Sequence, residues 1–237
     1  MIKAVFFDLD GTLLPLNEDE FIKLYFKLLC KKLAPYGYEP NKLIDTIWSG
    51  TKEMYKNKGE LLNKDVFWNK FIEVYGEEKL KDVEIFDSFY TEEFFQTKVC
   101  CGENPYAREI IDFCKEENID VFLTTNPIFP TVATETRMSF VNLKMDDFKL
   151  VTTYDNSKYT KPNPQYFLEI LNQYGLKAEE VILFGNNTLE DGDCASACGI
   201  KVYLVGDYII YNKLSKGIYD EISIDEIIPT IKKHVNN

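Results

Sequence analysis

The 237 residues carry 27 Lys and Arg against 39 Asp and Glu, a net charge of −12, so most of the surface would repel a nucleic-acid backbone. Hydrophobic residues at 45% and charged residues at 28% give the balance of a soluble globular chain, long enough for one α/β domain and a smaller inserted one. A small phosphorylated metabolite stays compatible with this acidic background, because lysines and a cation offset it locally.

In chain order, Ala4–Phe7 is an apolar run that reads as a buried strand, and it delivers two carboxylates, Asp8 and Asp10, one residue apart. Gly11 then frees the backbone to turn away from the strand end. Asn17 is the expected N-cap of a helix that opens with Glu18, Asp19 and Glu20, where the helix dipole favours acids. Phe21, Leu24, Tyr25, Leu28 and Leu29 follow at amphipathic spacing. Further helical segments are predicted at 41–55, 64–75 and 77–95, with no convincing strand among them. After Gly102 the rhythm changes. Helices at 106–117, 131–142, 164–174, 189–198 and 224–233 alternate with strands at 119–125, 149–154, 181–184 and 201–205. Such alternation argues a parallel sheet with helices on both faces. The expected fold class is therefore α/β, a doubly wound parallel sheet, with a core of residues 1–15 and 99–237 and an all-helical insertion at 16–98.

No apolar stretch approaches the roughly 20 residues that span a bilayer, and Asp8 breaks the first apolar run with no small-residue cleavage site after it. The six cysteines (Cys30, Cys100, Cys101, Cys114, Cys194 and Cys198) show no disulfide framework for this length, so a cytoplasmic setting with reduced, mostly buried thiols is expected. Cys194 and Cys198 lack a second ligand pair, which argues against zinc. The only histidine, His234, falls in a polar tail, which argues against a histidine base or a histidine-rich metal site. Carboxylates and lysines remain.

In open α/β sheets, ligands sit beyond the carboxyl ends of the strands. Asp8 and Asp10 placed there suggest a metal-assisted site, one acid as nucleophile and the other as proton shuttle. A helix-loop-helix calcium loop does not fit, because a strand precedes the two acids and Gly11 follows them too soon. Thr125 and Asn126 end the strand at 119–125, where a hydroxyl and a backbone N–H suit a phosphate oxygen, although turns use the same residues. Lys161-Pro162-Asn163-Pro164 precedes an amphipathic helix, and its prolines constrain where the ammonium points. A solvated lysine before a Pro-initiated helix would look the same. Gly185-Asn186-Asn187-Thr188-Leu189-Glu190-Asp191 follows the strand at 181–184 and leads into a small-residue helix.

Asp8-Leu9-Asp10-Gly11-Thr12-Leu13 after an apolar strand resembles the first motif of the haloacid dehalogenase superfamily, whose members are mostly phosphohydrolases. Thr125 resembles the second motif, Lys161-Pro162 the third, and Gly185 with Asp191 the fourth. Asn186 departs from the pattern, standing where the family has a magnesium-binding carboxylate. An amide oxygen still suits magnesium, with one charge fewer to hold it. The resemblance runs over essentially the whole chain, and implies a Rossmann-like core with a helical cap that closes over the site and excludes water.

The resemblance further implies Asp8 as nucleophile, Asp10 as acid and base, and Lys161 as the partner of both nucleophile and phosphoryl group. Thr125, the Asn126 backbone and Lys161 would hold phosphoryl oxygens. Mg2+ would be bound by Asp8, the Asp10 carbonyl and Asn186 or Asp191, with Asp191 alternatively orienting Lys161. The expected activity is magnesium-dependent hydrolysis of a small phosphorylated metabolite through an aspartyl-phosphate. A 2-haloacid dehalogenase lacks an acid at the Asp10 position and needs no metal. A sugar-phosphate mutase stays open, as does a binding or regulatory protein without turnover, which Asn186 motivates. Cap lysines such as Lys23, Lys27, Lys52 and Lys56 suit an anionic substrate or a solvated face alike. The cap's aromatics fit helix packing as well as a ligand pocket. No nucleic acid or membrane partner is expected, and monomer or homodimer is left open.

Overall fold

The computed structural model describes residues 1–235. Six strands among them, β1 (Ala4–Phe7), β2 (Asp120–Leu123), β3 (Leu150–Val151), β4 (Val181–Gly185), β5 (Lys201–Val205) and β6 (Asp220–Ile222), form one sheet in the order β3-β2-β1-β4-β5-β6. Every pairing is parallel. Successive residues of β1 point to opposite faces, so Val5 and Phe7 join one apolar layer while Ala4 and Phe6 join the other. Burial on both faces is why β1 and β4 read as unbroken apolar runs.

Between β1 and β2 the described chain is helical: α1 (Glu18–Leu33), α2 (Pro40–Tyr55), α3 (Asn63–Tyr75) and α4 (Val83–Thr91). Asn17 caps α1, its Oδ1 accepting from the Glu20 N–H at 3.2 Å. The two chain crossings to this segment run side by side. Leu16 bridges Cys101 in antiparallel fashion, and the Gly102 N–H donates to the Pro15 carbonyl at 2.8 Å. The remaining helices are α5 (Tyr106–Glu116), α6 (Thr131–Ser139), α7 (Gln165–Tyr174), α8 (Cys194–Ser196) and α9 (Ile227–Val235).

Several expectations need correction. The helix predicted at 77–95 is α4 flanked by 3-10 turns, Glu77–Asp82 and Glu93–Cys100, because Glu92 leaves the helical region at φ −113°, ψ −84°. The strand predicted at 149–154 shrinks to β3: the Asn156 side chain takes the Thr153 N–H and the Val151 carbonyl, which ends the ladder. The helix predicted at 131–142 stops at Ser139, and Asn142 turns the chain at φ +59°. The helix predicted at 189–198 is a π-helical turn, Thr188–Asp193, followed by the short α8. Strand β6 is mostly polar and lies at the sheet edge, so no apolar pattern announced it. His234 is not in a free tail but on α9, 2.8 Å from the Tyr203 hydroxyl. Two cysteines, Cys114 and Cys194, are buried and the other four half-buried, all as free thiols. Among the described residues no helix is long and apolar enough to cross a membrane.

The register positions the site. Phe7 lies level with Leu123 on one side and with Phe184 on the other. Asp8 and Thr124 therefore leave the sheet together, beside Gly185, the last residue of β4. The chain builds β2 and β3 on one side of β1 and then β4, β5 and β6 on the other, so the strand order reverses beside β1. That reversal opens a crevice at the carboxyl ends.

Candidate active site

Asp8 follows β1 directly, its N–H donating to the Phe184 carbonyl at 2.9 Å, and it is buried. Gly11 completes the turn at φ +80°, in the left-handed region that a Cβ disfavours. A Cβ there would also lie 2.0 Å from Asn186 Nδ2, so glycine serves both the turn and the close approach of the two loops. Lys161 is 1% exposed, not the solvated lysine its prolines alone would allow. Its Nζ donates to Asp8 Oδ1 at 2.9 Å and to Asp191 Oδ1 at 2.6 Å.

Asp191 is held in turn. Its Oδ2 accepts from the Asn186 and Asn187 N–H groups, both at 3.0 Å. Both oxygens are thus engaged, one with Lys161 and one with backbone. The π-helical turn, with its one extra residue per turn, brings Asp191 rather than Glu190 under the strand end. Gly185 makes the room, since a Cβ there would meet the Asp191 carboxyl at 2.4 Å.

Asn186 donates through Nδ2 to the Tyr208 carbonyl at 2.8 Å. An aspartate could not make that bond, and this gives the departure from the family pattern a physical role. Thr125 is buried at the cleft, and its carbonyl accepts from Thr152 Oγ1 at 2.7 Å and the Tyr166 hydroxyl at 3.0 Å. The Asn126 side chain ties loops together, accepting from the Lys161 N–H at 3.2 Å and donating to Glu190 Oε2 at 2.9 Å.

Two residues, Arg137 and Tyr55, join the site that the sequence reading did not place there. Arg137, from α6, is 2% exposed and pairs with Asp10 Oδ2, its guanidinium lying 4.6 Å from the Phe129 ring centroid. A signal existed: Arg137 sits four residues after Ala133 and three after Thr134, on the buried stripe of its helix. Tyr55, the last residue of α2, donates to Glu190 Oε1 at 3.2 Å and accepts from Asn126 Nδ2 at 3.1 Å. Nothing local marks Tyr55 or Glu190 for this contact, which joins the helical segment to the strand-end loops.

Burial pushes the Asp8 carboxyl from its ordinary 3.8 up to about 8, against the pull of Lys161 and with the push of Asp191 and Asp10. Burial also works against the Lys161 charge, but Asp191 and Asp8 outweigh it and hold the ammonium well above its ordinary pKa. Desolvation raises Asp10, while Arg137 and Lys161 draw it back. Asp10 Oδ1 is buried without a hydrogen-bond partner. Among the described residues no three His, Cys, Asp or Glu gather as metal ligands. The oxygens at hand are those of Asp8 and Asp10 and the Asn186 Oδ1, which the Tyr208 bond leaves over. Such an all-oxygen set suits a hard divalent cation such as Mg2+, held by less charge than three carboxylates supply.

These groups form the floor of a cavity of about 560 Å³ that extends between the sheet and the helical segment. Fold and site together define a doubly wound α/β protein whose ligand site lies at the reversal of strand order, with paired acids and a buried lysine. Residues 5–205 match the family described as haloacid dehalogenase-like hydrolase, and the chain belongs to that family. A glyceraldehyde 3-phosphate phosphatase from Methanothermobacter thermautotrophicus is 27% identical over 236 residues, spanning 94% of this chain and 97% of its own length. Pyrophosphatase PpaX from Bacillus cereus is 25% identical over 187 residues, 78% of this chain and 75% of its own. Among solved structures, a 2-haloacid dehalogenase from Pseudomonas syringae superposes with a TM-score of 0.63 at 17% identity, covering 98% of this chain and 99% of its own. That likeness carries the fold alone.

Proposed function

We propose that this hydrolase is a magnesium-dependent phosphohydrolase of small phosphorylated metabolites, acting through an aspartyl-phosphate on Asp8. The observation that carries the reading is Lys161 Nζ bridging Asp8 and Asp191, at 2.9 and 2.6 Å, on the floor of a cavity. A carboxylate beside a buried ammonium is a nucleophile whose negative charge is balanced before and after a phosphoryl group arrives. The presence of Asp10 favours phosphoryl transfer over dehalogenation, and the relatives named as phosphatase and pyrophosphatase support the same side.

In the first step an Asp8 carboxylate oxygen attacks phosphorus as the bond from phosphorus to the leaving oxygen breaks. Asp10 gives that oxygen its proton. In the second step Asp10 takes a proton from water, the water oxygen attacks phosphorus, and the bond to Asp8 breaks to regenerate the carboxylate. Arg137 holds one Asp10 oxygen and so aims the other. Lys161 and the Thr125 hydroxyl balance and position the phosphoryl oxygens, and Asp191 positions Lys161. Asp8, the Asp10 carbonyl and Asn186 Oδ1 would hold Mg2+, which when bound neutralises charge on the phosphoryl group. Residues 16–98 act as the cap in this reading, joined to the core through the paired crossings at Leu16 and Cys101.

The test is phosphate release from acetyl phosphate and p-nitrophenyl phosphate across a magnesium titration, for the native chain and for Asp8→Asn. Turnover that requires magnesium and vanishes in the variant is expected. Turnover that survives Asp8→Asn, or none with any phosphate ester, overturns the reading.

A further inference from the structure

The cavity has two unlike ends. At its floor stand Lys161 and Arg137, which among the described residues are the cations that line it. Both are already paired, Lys161 with Asp8 and Asp191, Arg137 with Asp10. The other end is walled by Tyr25, Trp48, Phe67, Trp68, Phe86 and Tyr90 of the helical segment. Phe67 on Trp68 and Trp68 on Phe86 cross edge to face at 89° and 90°. Tyr25 and Tyr90 bond their hydroxyls to each other at 3.0 Å, which takes up their polar tips. The acids Glu18, Asp19 and Asp87 of the helical segment also line the cavity. None of the cap lysines Lys23, Lys27, Lys52 and Lys56 lines the cavity.

A single phosphate has a place at the floor. A second phosphate or a carboxylate carried deeper would find no further cation, an apolar wall and the acids of the helical segment, and would lose its hydration without compensation. A glycerol-sized alcohol would leave most of about 560 Å³ as water against aromatic rings. Pockets of roughly 300–1,000 Å³ with apolar walls and a few convergent polar groups accommodate drug-sized ligands. From these two ends we infer that the substrate is a phosphate monoester whose alcohol part is apolar, ring-bearing and uncharged. The reading rests on the phosphohydrolase assignment of the same floor, and it separates this chain from relatives named for pyrophosphate and glyceraldehyde 3-phosphate. The ring fills the aromatic end while the phosphate sits at the floor, against Asp8 and Lys161.

The two tryptophans of the chain, Trp48 and Trp68, both line the cavity, Trp48 half-open to solvent and Trp68 nearly buried. This gives a readout free of turnover. In an Asp8→Asn, Trp48→Phe protein with Mg2+, the remaining Trp68 emission is followed while cyclohexyl phosphate, glycerol 3-phosphate or pyrophosphate is added, with calorimetry in parallel. Cyclohexyl phosphate is expected to change the emission saturably and to bind at least about tenfold more tightly than the other two. In the native chain, phenyl phosphate should exceed glycerol 3-phosphate in kcat/KM by a similar factor. Equal or weaker binding of the cyclohexyl ester, no saturable binding of it, or binding that leaves Trp68 unchanged overturns the inference. Tight, selective binding of the apolar ester with no phosphate release by the native chain removes the hydrolase reading and keeps the pocket assignment. Magnesium-dependent turnover that favours pyrophosphate or glycerol 3-phosphate does the reverse.

Discussion

The two ends of one cavity are built by opposite physics. The strand-end floor gathers Asp8, Asp10, Lys161, Arg137 and Asp191, each charge paired with another over a short distance and largely withdrawn from water. The helical wall gathers aromatic rings and keeps its lysines outside. Buried pairs contribute little net stability and cost much when one partner is lost, whereas apolar burial is roughly proportional to area and tolerant in detail. In the proposed function, chemistry belongs to the brittle half and selection to the adaptable one. Substitutions can test whether the halves are separable.

The largest effect is expected from Asp8→Asn, which should lower magnesium-dependent phosphate release by at least about 10³-fold while circular dichroism stays native. An unfolded variant would leave the rate uninformative, so the melting curve belongs to the same experiment. Next comes Lys161→Met. It leaves Asp8 and Asp191 facing each other in a buried site, and a loss of about 3–5 kcal/mol follows, a melting temperature lower by roughly 6–20 °C. A change of a degree or two would show that the floor is wetter than the packing indicates.

Asn186→Asp is expected to separate metal binding from folding. It sets a buried carboxylate against the Tyr208 carbonyl and removes a hydrogen bond, at about 1–3 kcal/mol in the absence of divalent cation. Saturating Mg2+ should return that loss, because a cation binds the folded state alone. Melting with and without magnesium decides it, and an unaltered metal-free melt removes the role assigned to the Tyr208 bond. Arg137→Gln acts on Asp10. Arg137 draws the Asp10 pKa down, so its removal raises that pKa, and the pH profile of kcat should move to higher pH. An unmoved profile with a lowered melting temperature makes Arg137 structural only.

The smallest effect lies away from the cavity. Asp147 accepts from Arg108 and Lys115, each at 2.6 Å, and from the Lys144 N–H at 2.8 Å. Burial raises its pKa, but these partners outweigh it and hold the carboxyl at about 2 against an ordinary 3.8. The folded state therefore binds this proton less readily than the unfolded chain. The stabilisation is complete above pH 3.8 and is lost as pH falls through about 2. Asp147→Asn should cost about 1 kcal/mol at pH 7, progressively less as pH falls through about 2, and leave kcat unchanged. A kcat that falls with it would mean that surface pairing reaches the floor.

Legibility in the sequence followed distance along the chain. The strand Ala4–Phe7, the two acids and the Gly11 turn were readable because they are consecutive, and an apolar run followed by Asp and Gly has few structural solutions. The α/β alternation was readable for the same reason, whereas the edge strand β6 was not, since a polar edge needs no apolar pattern. Lys161 was readable only through resemblance, because its prolines do not say whether the ammonium faces water or an acid. Asp191 was readable as a motif position, and the resemblance offered it either as a metal ligand or as the residue that orients Lys161; the pairing at 2.6 Å comes from the fold. Arg137 pairs with an acid 127 positions away, and no local pattern encodes that. The aromatics of the helical segment recur at helical spacing whether they pack on each other or wall a cavity, so periodicity could not separate the two.

By itself the sequence determined the strand that carries Asp8 and Asp10, the alternation that makes a parallel sheet, the helical insertion, and the amide at Asn186. All of these follow from local periodicity, turn chemistry and residue identity. The tertiary structure alone decided that the Lys161 ammonium is buried between Asp8 and Asp191, that Arg137 holds Asp10, that Asn186 bonds Tyr208, and that rings of the helical segment which pack on one another also wall a cavity. Ion pairs and cavities are properties of surfaces brought together from distant stretches, and only the folded chain sets their separation and their exclusion from water.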